Sequence, residues 1–146
     1  MYSHILIPTD GSELAQNGVD HGLSLAKALG SRVTIITATD AFPIIYGREW
    51  QPSPEAAKIF EEENSKAAGD IFSKVKASAD QVGVDVETLH VPNAIAADAI
   101  LDAASSLGCN LIVMASHGRT GLAKMLLGSQ ASKVVSSSTV PVLIVR

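Results

Sequence analysis

The sequence predicts an α/β protein: a doubly wound, Rossmann-like sheet of five parallel strands in the order 3-2-1-4-5, with helices on both faces. Three observations lead to the parallel class, and the order 3-2-1-4-5 is the doubly wound arrangement taken with it. Short β-branched runs alternate along the whole chain with longer stretches whose apolar residues recur at helical spacing. The runs at 4–7, 33–36, 111–114 and 141–145 are almost continuously apolar, as strands covered on both sides require. The composition is 47% hydrophobic yet only 4% aromatic, an aliphatic mixture suited to a parallel sheet buried between helices. The 146 residues are expected to form one domain, 1–146, joined by right-handed crossovers and without internal repeats.

The first strand is read at 4–7 and stops at Pro8, where a missing N–H costs least. Ser12 is a good N-cap for a helix over 13–29. Ala15, Val19, Leu23, Ala26 and Leu29 are expected on its buried face. Gly18 and Gly22 weaken that helix but allow close approach to the sheet, and Gly30 suits its end. The second strand is expected over 32–39. Residues 40–54 read as a loop carrying Phe42, Pro43, Tyr46, Trp50, Pro52 and Pro54, either folded over its own aromatics or serving as a lid or contact surface.

A long helix is expected over 55–82. Ala57, Phe60, Ala67 or Ala68, Ile71, Val75 and Ala79 form its stripe, and Glu62–Lys66 and Asp70–Lys74 are spaced for ion pairs. The third strand is placed at 84–91, ending at Pro92. Asn93 is expected to cap a helix reaching 107, with Ile95, Ala99, Leu101 and Ala103 available for burial. After Gly108 come the fourth strand at 111–114, a glycine-bearing loop, a helix from Gln130 to Ser136 and a final strand at 141–145.

Several classes are disfavoured. A net charge of −4 provides no basic field, so nucleic acid is not an expected partner. Cys109 is the only cysteine, which rules out an internal disulfide and reads as a small buried thiol. No Cys-x-x-Cys or metal-ligand spacing is present. No signal-peptide pattern or bilayer-length apolar run is visible, so a soluble cytoplasmic protein without membrane insertion is expected.

The chemistry gathers at two places. Pro8-Thr9-Asp10-Gly11-Ser12 follows the first strand, and Ala115-Ser116-His117-Gly118-Arg119-Thr120-Gly121 follows the fourth, with Gly128-Ser129 opening the next helix. A helix's first turn leaves amides unpaired and its dipole favours negative charge there. Glycines let a phosphate reach main chain, and Ser129 is suited to cap the helix or donate its hydroxyl. The same glycines would also serve as plain turn residues. The run matches neither G-x-x-x-x-G-K-[ST] nor G-x-G-x-x-G. In an open parallel sheet, however, ligands bind where the strand order reverses, which here would set Asp10 opposite the glycine loop. His117 has no readable nucleophile or base beside it; it is expected to orient the loop or to donate to phosphate. His4, His21 and His90 show no obvious partners.

Taken together, Pro8 to Ser12, Ser116-His117-Gly118, the nine-residue spacer, Gly128-Ser129 and the closing Val140 to Val145 resemble the universal stress protein family, ATP-binding type, over essentially the whole chain. The family pattern has glycine where this chain has Ala115, a substitution that negative φ would accommodate. The resemblance implies that Asp10 lies near the ribose or a Mg²⁺-bound phosphate, and that Pro8 and Thr9 line the adenine end. Ala38 would offer main-chain groups to the adenine edge, with Met114 and Ala115 flanking the nucleoside. Ser116, His117, Gly118, Arg119 and Gly121, with Gly128, Ser129, Gln130 and Ala131, would surround the phosphates, with Arg119 and Lys124 either as charge partners for them or as solvated side chains. It also implies ATP or a related adenine nucleotide as ligand, Mg²⁺ with it, and a homodimer through the C-terminal strand.

The function expected on these grounds is a dimeric nucleotide-binding stress-response or regulatory module with slow or no hydrolysis, for want of a P-loop lysine, an arginine finger or a base for water. It would act with a protein partner the sequence does not identify. A dimeric scaffold without nucleotide and a phosphoryl or nucleotidyl transferase are the alternatives.

Overall fold

The computed structural model describes residues 1–41, 52–118 and 127–146. Nine elements follow in order: β1 (His4–Pro8), α1 (Glu13–Leu29), β2 (Arg32–Ala38), α2 (Pro54–Val82), β3 (Val86–Val91), α3 (Ala96–Leu107), β4 (Leu111–Ala115), α4 (Ser129–Ser137) and β5 (Val142–Val145). The strands form one sheet in the order β3-β2-β1-β4-β5, and every pairing is parallel. The predicted architecture and strand order therefore hold.

Alternation along β1 shows how two layers of helix are held on one sheet. Ile5 and Ile7 point to the side where Val19, Leu23 and Ala26 of α1 and Val75 and Ala79 of α2 are buried. Leu6, between them, points to the opposite side, against Ala97, Ile100 and Ala103 of α3 and Val134 of α4. Successive strand side chains must face opposite ways, so a strand buried on both faces has to be apolar throughout.

Close contact of α1 with the sheet depends on two glycines. A Cβ on Gly18 would stand 2.9 Å from the amide nitrogen of Ala115, and one on Gly22 would collide with the Ile7 side chain. These positions let the helix settle onto β1 and β4, and so fix the carboxyl ends of both strands. Three helices end at glycines in the left-handed region: Gly30, Gly83 and Gly108, with φ of 67°, 72° and 68°.

Some boundaries differ from those read in the sequence. Pro54 is the first residue of α2, with Ser53 as its cap, accepting from the Ala56 amide at 3.1 Å. Proline suits a first helical position because its missing N–H would be unpaired there anyway. Val84 is buried but outside β3, which begins at Val86. Asn93 does not cap α3: it has a φ of 54°, and the N-cap is Ile95, whose side chain makes no capping bond. Leu29 and Ile95, expected to be buried, are 47% and 55% exposed. Of the pair Ala67 and Ala68, the second is the buried one. Glu62 meets Lys58 at 3.9 Å. Phe42, Pro43, Tyr46 and Trp50 of the 40–54 segment lie outside the described residues.

Candidate functional site

The reversal of strand order falls between β1 and β4. The crossover after β1 leads to β2, and the crossover after β3 leads to β4 on the other side. The carboxyl ends of these two strands flank the switch point, where open parallel sheets form a crevice.

One wall is the segment after β1. Pro8 ends the strand. The Thr9 amide donates to the carbonyl of Ile36 at 2.9 Å, and the hydroxyl of Thr37 donates to the carbonyl of Thr9 at 2.8 Å. Thr9 is therefore buried and fixed from β2. Its own hydroxyl accepts from the Gly11 amide at 3.1 Å. Asp10 follows, accepting from the Ser12 amide at 2.9 Å, and Ser12 caps α1 by accepting from Ala15 at 3.1 Å. The turn thus presents the Asp10 carboxyl group at the end of β1. Thr37 was not foreseen as part of this arrangement. Its signal was a hydroxyl near the carboxyl end of a largely apolar strand, where, once buried, it must find a partner.

The opposite wall is the end of β4. Met114 and Ala115, its last two residues, are buried. Ala115 lies in extended strand, paired with Val145, and is not among the described residues of positive φ. The alanine in place of glycine imposes no strain. The amide of Ser116 donates to the carbonyl of Val145 at 2.9 Å, and its carbonyl accepts from the Gly128 amide at 2.7 Å. That last bond clasps the start of α4 to the end of β4.

The two walls meet at Gly118. A Cβ there would lie 2.5 Å from Oδ2 of Asp10. The carboxyl group of β1's turn therefore sits against the main chain of the glycine loop, the juxtaposition expected from strand order. At Gly128 a Cβ would come within 3.2 Å of the Ser116 carbonyl oxygen and 3.6 Å of the His117 ring. Neither glycine is among the positive-φ residues. Both are needed for room, not for an unusual backbone conformation.

Gly128, not Ser129, is the N-cap of α4, and it supplies no side-chain acceptor. The amides of Ser129, Gln130 and Ala131 therefore have no acceptor within the helix, and they stand in its first turn beside the clasp. His117 packs under Gly128 with Nδ1 3.2 Å from the Ser116 hydroxyl. Its Nε2 is buried without a hydrogen-bond partner among the described residues. The side chain of Gln130 turns away from the crevice: its Oε1 accepts from the Ala97 amide at 2.9 Å. Only its main chain belongs to the α4 turn. Ala38 ends β2, where the adjoining Thr39 amide donates to Val91 at 3.0 Å. Arg119, Gly121 and Lys124 lie outside the described residues. The remaining histidines do have partners: His4 meets Thr34 at 2.8 Å, His21 the carbonyl of Asn17 at 2.9 Å, and His90 the Thr39 hydroxyl at 2.9 Å.

Among the described residues no cluster of three or more His, Cys, Asp or Glu side chains assembles. Among the described residues, Asp10 is the carboxylate set against the glycine loop.

A 3-2-1-4-5 parallel sheet with the Asp10 carboxyl group set against Gly118 at its switch point defines a doubly wound α/β protein. The chain belongs to the universal stress protein family, whose family model matches residues 1–146. It is 33% identical over 147 residues to the universal stress protein MJ0531 of Methanocaldococcus jannaschii, covering all of this chain and 83% of that one. Among solved structures, the MJ0577 protein of the same organism superposes with a TM-score of 0.81 at 30% identity, over 99% of this chain and 96% of that one. A universal stress protein crystallised in complex with cAMP superposes with a TM-score of 0.74 at 26% identity, over 99% and 97% of the two chains.

Proposed function

We propose that this protein binds ATP, or a related adenine nucleotide, in the crevice between β1 and β4 and acts as a dimeric regulatory module of the stress response with slow or no hydrolysis. The observation that carries the reading is the contact of the Asp10 carboxyl group with Gly118, beside the uncapped first turn of α4. A triphosphate would take the amides of Ser129, Gln130 and Ala131 and the Ser129 hydroxyl. Asp10 would face the ribose, or a Mg²⁺ ion carried in by the phosphates. Adenine would lie toward Pro8, Thr9 and Ala38, over Met114 and Ala115. The cAMP complex of a family member supports an adenine nucleotide as the ligand class.

Dimerisation is proposed through β5. It ends the sheet beyond β4, with Leu143 42% exposed on it. An apolar outer strand is protected when a second copy pairs with it.

The test is nucleotide content of the purified protein by mass spectrometry after denaturation, followed by calorimetric titration with ATP and Mg²⁺. Gly118→Val and Gly128→Val, which fill the space at the two lips of the loop, are each expected to lower ATP affinity by about tenfold or more, the worth of one or two charge-assisted hydrogen bonds. Unchanged affinity in both variants overturns the reading.

A further inference from the structure

The first turn of α3 is held in an unusual way. Its N-cap, Ile95, offers no side-chain acceptor, and a first turn without one leaves its amides unpaired. Here the acceptor comes from another helix. Oε1 of Gln130, in the first turn of α4, takes the Ala97 amide at 2.9 Å. One turn further along α4, Lys133 meets Asp98 at 2.8 Å, and Ala97, Ala131 and Val134 are buried in the same core cluster. The segment leading into α3 is tied from the other side: the Ala94 amide donates to the carbonyl of Thr39 at 3.1 Å. Residues 94–98 are thus pinned at one end to the tip of β2, beside Ala38, and at the other to the start of α4, beside Gly128-Ser129. Those are the two ends of the proposed nucleotide crevice.

We infer that Gln130 caps α3 from α4, and that through this cap the first turn of α3 senses whether the crevice is filled. The coupling rests on the nucleotide-binding reading; the cap itself does not. A ligand on the amides of α4's first turn restrains the residue that carries the capping side chain. The cap then opens less often, and α3's first turn frays less. Coupling of this kind is reciprocal: any contact that steadies residues 94–98 tightens nucleotide binding by the same factor. Gln130 is on this account a positioning residue whose side chain does not touch the ligand.

Amide hydrogen exchange at residues 96–100 tests both parts, in the full chain. Without ligand, Gln130→Ala is expected to exchange about tenfold faster at Ala97, the usual worth of a cap. Gln130→Glu, which keeps an acceptor oxygen and adds charge favourable to a helix N-terminus, is expected to exchange no faster than wild type. Exchange in α2 serves as the control for general loosening. Wild-type rates at Ala97 in Gln130→Ala overturn the cap. With saturating ATP and Mg²⁺, wild type is expected to slow further at 96–100 and Gln130→Ala to show no such slowing. No slowing in a wild type that binds ATP, or equal slowing in the variant, overturns the coupling. A wild type that binds no ATP overturns the site reading and the coupling with it, and the ligand-free rates still decide the cap.

Discussion

Gly118 and Gly128 show that a glycine in a binding loop serves different ends at the scale of one residue. Neither takes a left-handed backbone. Each is glycine because a neighbour occupies the place of its side chain, the Asp10 carboxyl group in one case and the Ser116 carbonyl in the other. The contacts differ in severity, at 2.5 Å and 3.2 Å. Alanine at 128 therefore asks only a small shift, whereas alanine at 118 displaces a carboxyl group already engaged by the Ser12 amide. Cys109 carries a second consequence at this scale. It is buried at the amino end of β4, and desolvation raises its thiol pKa above 9.0, the nearby Arg32 opposing and Glu87 adding to the effect. A folded-state pKa raised above the unfolded value keeps the proton on in the native protein. Its stabilising contribution is complete below the unfolded pKa and is lost as pH rises through the folded one. Cys109→Ser is accordingly expected to flatten the fall in denaturation midpoint above pH 9, measured in urea. A fall of the same steepness in both proteins would contradict the assignment.

At the scale of the element, the seating of α1 decides where the crevice opens. Gly22 faces the Ile7 side chain with no room for a Cβ. Gly22→Ala gains up to about 1 kcal/mol of helix propensity but overpacks the core at a cost of about 1–3 kcal/mol, so a net loss is expected. Ile7→Val, alone costing about 0.5–1.5 kcal/mol, removes the Cδ1 atom in the way. The double variant is therefore expected to be more stable than the sum of the single changes by at least about 0.5 kcal/mol, as read from urea denaturation. Strict additivity would show that α1 can shift freely on the sheet. The elements were legible in the sequence wherever the determinant is local. Ser12 before the α1 stripe and Gly30, Gly83 and Gly108 after their helices mark boundaries that the structure keeps. The start of α3 was not legible, because its cap is Gln130, 33 residues away along the chain, and nothing near Ile95 announces it. Asn93 looked like a cap and instead supplies a left-handed turn, a conformation asparagine tolerates well.

At the scale of the whole molecule, β5 is the element whose situation invites a second chain. The sheet ends with it, and its exposed Leu143 would lie within the interface proposed above. Leu143→Glu places a charge where two copies would meet and is expected to convert the protein to monomer in sedimentation velocity runs, with the urea midpoint little changed. A dimer of undiminished stability would locate the contact elsewhere. Among the described residues no helix is long and apolar enough to cross a membrane.

Alternating periodicities along one chain already determined the succession of strands and helices and the parallel, doubly wound class of the sheet, whereas the order of the strands and the meeting of Asp10 with Gly118 were decided in the folded chain. The succession and the class follow from local pattern and from the handedness of parallel crossovers, both of which are written into neighbouring residues. Only the tertiary structure decided which side chains turn toward the crevice and which turn away. Thr37 holds the carbonyl of Thr9, Gly18 admits Ala115, and Gln130 leaves the site to serve α3. Each of these choices pairs groups distant in sequence, and a buried amide takes whichever acceptor the folded chain brings within hydrogen-bond distance.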